Sequence, residues 1–245
     1  MASIQIQTDE IELDEPTLVE GLPGVGLVGK IAADHLVTEF DMQYYGAVHC
    51  DGLPKVAMYR GEHSDVRPPV RIYADEGRDL LVLQSDVPVS PTTASDFATC
   101  ITGWVESNDA LPLYLSGIAE EKGDVPELYG VATGDAESVL DDVGIVPPRE
   151  SGLVTGPTGA LLYRASEVGL DSVGLIVQTD PKFPDPEAAR VLLKNGIEPI
   201  VDVSIDASTL VEQAGEIQTA REELAKRLQD AGDESSEAQP IRGFQ

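Results

Sequence analysis

Residues 16–40, PTLVEGLPGVGLVGKIAADHLVTEF, constrain the fold of this chain more than any other stretch. A short apolar piece, 17–19, runs into a glycine-rich turn, 21–29. Ile31, Leu36, Val37 and Phe40 then recur at helical spacing. Strand, glycine turn and helix in that order open an α/β unit, because glycine lets the backbone turn tightly and approach a sheet closely. Gly24, Gly26 and Gly29 also match G-x-G-x-x-G, and Asp51 stands 22 positions after Gly29. That is the spacing of a dinucleotide-binding turn, with its acid for a ribose.

Other residues pull against that reading. Pro23 interrupts the junction of strand and turn, and Glu20 follows the apolar piece at once. No later cluster offers a nicotinamide or flavin half-site. Lys30 stands where a P-loop lysine would, but Ile31 replaces the Ser or Thr that a P-loop needs for its magnesium. Two readings stay open. The favoured one makes Gly24, Gly26 and Gly29 a packing device that sets the first helix against the sheet. The alternative is an enzyme, or a nucleotide- or phosphate-binding protein, that holds an anion with this turn and Lys30.

Nucleophilic chemistry finds little support. His35, His49 and His63 fall on a helix, a strand and a polar loop, and no G-x-S-x-G elbow exists. His49 and Cys50 cannot pair, because neighbouring strand side chains point to opposite faces. No metal-ligand cluster is visible, so neither a metal nor a cofactor is expected, and a non-enzyme is favoured.

The rest of the chain alternates strand and helix patterns. Ile4 and Ile6 and, after a polar break, Ile11 and Leu13 alternate as an edge strand would, and strands are expected at 44–50, 56–60, 70–74, 80–84, 111–118, 128–133, 152–154 and 172–178, with 75–78 as a hairpin turn between the 70–74 and 80–84 strands. The run Leu80-Leu81-Val82-Leu83 reads as a buried central strand. Helices are expected from Thr92 or Thr93 to about Ser107, within 134–144, over 160–168 after a second glycine turn, over 187–195 closed by Gly196, and over 207–230. Residues 61–69 read as a loop and 197–203 as a linker or short extended piece. This pattern predicts a three-layer α/β sandwich with a mainly parallel or mixed central sheet. One α/β domain is expected over 1–205, a C-terminal helical arm over 206–230 and a flexible acidic tail over 231–245.

Charge narrows the partners. Against 16 Lys and Arg stand 44 Asp and Glu, a net charge of −28. Phosphate neutralisation needs clustered cations, so nucleic acid and anionic membrane are excluded as partners. The acids are dispersed from Asp9 to Glu237. Dispersed acid suits a salt-rich solvent, where screening shortens to roughly 3 Å at 1 M and self-repulsion is tolerable. Cys50 and Cys100, without a CxxC pattern, read as two separate small apolar thiols in a reducing cytoplasm. Neither a signal peptide nor an apolar run of about 20 residues is seen, so a cytoplasmic protein is expected.

The end of the chain places Ile241 and Phe244 after a polar, acidic stretch. Two readings stand side by side: a frayed terminus, or a peptide in which Ile241, Phe244 and Gln245 dock in a partner's pocket.

The run GLPGVGLVGKIAADHLV closely resembles the signature of the proteasome assembly chaperone family, which includes archaeal members. Gly156-Pro157-Thr158-Gly159 before an apolar helix agrees, as does Pro184-Asp185-Pro186-Glu187-Ala188-Ala189 followed by Leu192-Leu193. The resemblance covers about 15–215. It implies a three-layer α/β fold akin to phosphorylases and peptidyl-tRNA hydrolases, homo-oligomerisation, and binding of proteasome α subunits rather than catalysis. Some archaeal members of the family end in a hydrophobic–Tyr–any tail that inserts between α subunits. Phe244 matches the aromatic position here, while Gly243 stands where the hydrophobic residue would. The acidic composition is similar to that of haloarchaeal proteins.

Overall fold

The computed structural model of the chain describes residues 3–6, 11–51, 53–59, 65–120, 123, 125–182, 184–210 and 212. In chain order the first half runs β1 (Ser3–Ile6), β2 (Thr17–Gly21), α1 (Val28–Glu39), β3 (Gln43–His49), β4 (Met58–Tyr59), β5 (Val66–Arg67), β6 (Val70–Asp75) and β7 (Leu80–Ser85). The second half runs α2 (Ala94–Ser107), β8 (Leu111–Ala119), β9 (Leu128–Thr133), α3 (Glu137–Val143), α4 (Gly156–Val168), β10 (Ser172–Thr179), α5 (Pro186–Val191) and α6 (Glu198–Val201).

Eight strands form one mixed sheet in the order β1-β3-β6-β7-β2-β8-β10-β9. The central strands β7, β2, β8 and β10 are parallel neighbours. The flanks are antiparallel: β1, β3 and β6 on one side and β9 on the other. Parallel strands covered on both faces should be apolar throughout, and β7 and β10 are buried at every position. The expected three-layer sandwich is therefore present. One core lies under α1, α3 and α5 and includes Leu36, Val82, Leu113, Leu175 and Leu192. The other lies under α2 and α4 and includes Leu18, Leu83, Phe97, Ile101 and Leu161.

Several local expectations need correction. The 61–69 loop contains β5, which pairs with β4 as a separate two-stranded ribbon. Residues 152–154 join no ladder, and Leu153 stands in solvent. Helix α4 starts at Gly156 rather than 160, with Pro157 in its first turn, where the missing N–H does no harm. Gly196 does not end its helix. The chain continues through a π-helical turn, Leu192–Ile197, into α6, and stops at Asp202, whose φ is +56°. Gly196 is needed for packing instead, since a Cβ there would stand 2.9 Å from Leu175 Cδ1. The expected linker at 197–203 is accordingly mostly helix. The 207–230 helix falls almost entirely outside the described residues.

Cys50, just after β3, and Cys100, on α2, form a disulfide with their Cα atoms 6.3 Å apart. This corrects the expectation of two separate thiols. Fifty residues separate the pair, and they meet because β3 and α2 pack on the same apolar core.

Candidate functional site

The parallel strands all end on one side of the molecule, where open α/β sheets usually meet their ligands. The glycine turn lies there. Gly26 has φ +63°, and a Cβ on it would fall 2.1 Å from Thr179 Oγ1 at the end of β10. A Cβ on Gly21 would fall 2.0 Å from Ala33 Cβ of α1, and one on Gly29 would sit 3.2 Å from Leu115 Cβ. Gly24 meets nothing within 4 Å. The Gly26 carbonyl accepts the Asp185 N–H (2.9 Å), and Asp185 in turn caps α5 by accepting from Ala188 N–H (3.1 Å). The turn thus joins β2 and α1 to the β10–α5 connection.

Lys30, the cation next to the turn, lies between two carboxylates, Asp34 at 2.6 Å and Asp86 at 3.2 Å. Asp86 also pairs with the buried Arg71 guanidinium at 2.6 Å, and Gln84 donates to Asp34. Burial pushes the Asp86 carboxyl up, but Arg71 and then Lys30 outweigh it and hold it below the ordinary range. Arg71 Nε and Arg67 Nη1 both donate to the Tyr73 hydroxyl, and Arg67 stacks 5.0 Å from the Tyr44 ring centroid.

Sequence reasoning missed the role of Glu20. It belongs to β2, directly opposite Tyr114 of β8, and has no exposed surface. Its Oε1 accepts Leu22 N–H (3.0 Å) and its Oε2 accepts Leu115 N–H (3.1 Å). Thr158 Oγ, in the first turn of α4, donates to the same carboxylate at 3.2 Å. Burial is the dominant influence and pushes the acid up to about 7, against the three hydrogen bonds. Burial also raises the Tyr114 hydroxyl, with the Glu20 charge adding to it. One carboxyl thereby ties the first glycine turn, the central strands and the second glycine turn together. The only sign in the sequence is an acid set inside the apolar run Leu18-Val19-Glu20-Gly21-Leu22.

The same end carries exposed apolar side chains. Val25 and Leu27 belong to the glycine turn, Tyr59 and Val66 to the β4–β5 ribbon, and Val56 to the segment that leads into β4. Val125 follows β8 and Leu153 precedes α4. Beside them a groove of about 970 Å³ opens over the ends of β8, β10 and β9.

Among the histidines, His35 Nε2 lies 2.7 Å from the Asp206 carbonyl and His49 is exposed at the end of β3. His63 lies outside the described residues, as do Ile241, Phe244 and Gln245. Among the described residues no group of three or more His, Cys, Asp or Glu could hold a metal ion. No helix among them is long and apolar enough to cross a membrane.

This fold has solved members. The structure is similar to that of Pyrococcus furiosus PbaA, an archaeal homolog of proteasome-assembly chaperone, with 26% identity, 95% of each chain covered and a TM-score of 0.79. Its fold is also that of P. furiosus PbaB, an archaeal proteasome activator, at 23% identity, 91% and 98% coverage and a TM-score of 0.76. An uncharacterized protein of Methanocaldococcus jannaschii is 29% identical over 225 residues, 91% of this chain and 90% of that protein. The chain belongs to the PAC2 family, whose profile matches residues 18–225.

Proposed function

We propose that this chain is a non-enzymatic, proteasome assembly chaperone-like protein of the cytoplasm that forms homo-oligomers and binds proteasome α subunits. The observation that carries this reading is family membership together with likeness to PbaA over nearly the whole of both chains. The chemistry at the strand ends supports binding over catalysis. Lys30 and Arg71 are each held by carboxylates of the chain itself, and the Glu20 carboxyl is sealed from solvent. The apolar side chains at that end supply contact area instead. The glycine turn serves in this reading to pack α1 against the sheet.

Ile241, Phe244 and Gln245 are the proposed contact to the α subunits, with Phe244 as the aromatic anchor. Removing an anchor of this kind weakens an interface by about 2 kcal/mol, roughly thirtyfold. Deletion of residues 241–245 should therefore weaken association with proteasome α subunits in high salt by about that factor, measured by pull-down with titrated bait. Unchanged binding would remove the tail from the mechanism while leaving the family reading intact.

A further inference from the structure

Cys50 and Cys100 are the cysteines of this chain, and the fold joins them. In a reducing compartment a disulfide is usually transient, catalytic or redox-sensing rather than a permanent brace. Three things decide between a switch and a brace. A thiol must be able to reach one of the sulfurs, the protein must stay folded with the bond open, and opening must change something.

The first condition is met at Cys100. It is half-buried and lines a pocket of about 580 Å³, whose other walls are Ile4, Asp51, Asp96, Thr99, Gly103 and Trp104. Cys50 is 6% exposed and is not part of that lining. An attacking thiolate therefore meets Cys100 Sγ first. The second condition is met by packing. Helix α2 is held by the buried side chains of Phe97, Ala98, Ile101 and Val105, and β3 by its ladders to β1 and β6. Val48 and Cys50 share one apolar core with that face of α2. With the bond open, both thiols stay neighbours on this core, at a high effective concentration for closing again.

The third condition follows from the ladders. Among the described residues, β3 pairs with β6 only as far as Ala47, so Val48 and His49 are laddered to β1 alone, a strand of four residues. Residues 51 and 53–57, which come next, lie in no helix or strand. The Leu53 N–H turns back to the Cys50 carbonyl (3.2 Å), and Pro54, Lys55, Val56 and Ala57 are exposed. The disulfide is the covalent tie between this stretch and α2.

We infer that Cys50–Cys100 is a reversible dithiol–disulfide switch that sets whether residues 48–57 are anchored. One thiolate of a dithiol attacks Cys100 Sγ. A new sulfur–sulfur bond forms, the Cys50–Cys100 bond breaks, and its electron pair leaves on Cys50 Sγ, which takes up a proton. The second thiol of the dithiol loses its proton and attacks the first thiol's sulfur, and Cys100 leaves and is protonated. Two electrons and two protons have then passed to the protein, and the dithiol has become a disulfide. A dithiol is the fitting class, because Cys50 stays beside Cys100 and would expel a monothiol from the mixed disulfide. A disulfide of the same class runs the steps backwards.

The inference rests on the cytoplasmic reading, where reductant is at hand. The test uses the purified full chain in high salt, equilibrated with mixtures of reduced and oxidised dithiothreitol. Trp104, the only tryptophan, lies one helical turn after Cys100 on α2 and reports the bond, since a disulfide quenches a nearby indole. Reduction should brighten its fluorescence and reoxidation restore the quench, with circular dichroism unchanged. Amide exchange over 48–57 should rise by at least about tenfold in the reduced chain, while 97–105 on α2 keep their protection. Cys50→Ser should exchange like the reduced wild type and ignore the dithiol. A bond that stays shut in excess dithiol, or opens only as the fold is lost, would overturn the inference. Reduction that leaves exchange over 48–57 unchanged would do the same. Cell fractionation tests the location separately: a chain found only outside the cytoplasm would overturn that reading and the inference with it.

Discussion

Glu20 is the residue whose neighbourhood matters most. Its acid is raised from 4.5 to about 7 by burial. An acid whose folded value lies above its unfolded value lends stability that is complete below about 4.5 and lost as pH rises through 7. The shift corresponds to about 3 kcal/mol. Glu20→Gln removes this titration but keeps the shape. The unfolding free energy of the wild type, minus that of the variant, should fall by about 3 kcal/mol between pH 4.5 and pH 8, read by denaturant titration. A difference independent of pH would show that the carboxyl is not held in this way. At this scale the sequence was least informative. Glu20 reads as the end of an apolar strand, because neither Tyr114 nor Thr158 is near it in the chain. Gly26 and Lys30 were singled out by their spacing, but their contacts with Thr179, Asp34 and Asp86 needed the assembled sheet.

At the scale of elements, long periodic segments were legible. The strands at 80–85, 128–133 and 172–179 and the helix ending at Ser107 stand where hydrophobic pattern places them. Misreadings arose where one residue type has two physical uses. Gly196 resembles a helix C-cap but serves close packing, and Leu153 resembles a strand residue but is exposed. The ribbon was half seen, as a strand at 56–60, since two-residue strands carry almost no periodicity. The disulfide had no signature at all. It closes a loop of fifty residues, which by loop entropy stabilises the fold by about 4 kcal/mol. Reduction with a phosphine should therefore lower the melting temperature by roughly 10 °C. A melting curve unmoved by reductant, with thiol titration confirming two free cysteines, would show that the cross-link adds nothing.

For the whole molecule, alternation of strands and helices sufficed to predict the three layers, and the signature run was enough to point to the family. Of the antiparallel pairings, only that of β6 with β7 was legible, through the hairpin turn at 75–78; the others follow from how connections cross the sheet and not from local pattern. The dispersed charge of −28 suits a salt-rich solvent, and partner binding should be measured in one. The central claim is that this PAC2-family chain engages proteasome α subunits. The most direct measurement is sedimentation of the purified full-length chain with purified α subunits from the same cell in high salt. The chain should move with the α subunits as one boundary of increased mass, at ratios that saturate. Two independent boundaries at every ratio, with both proteins folded, would contradict the account.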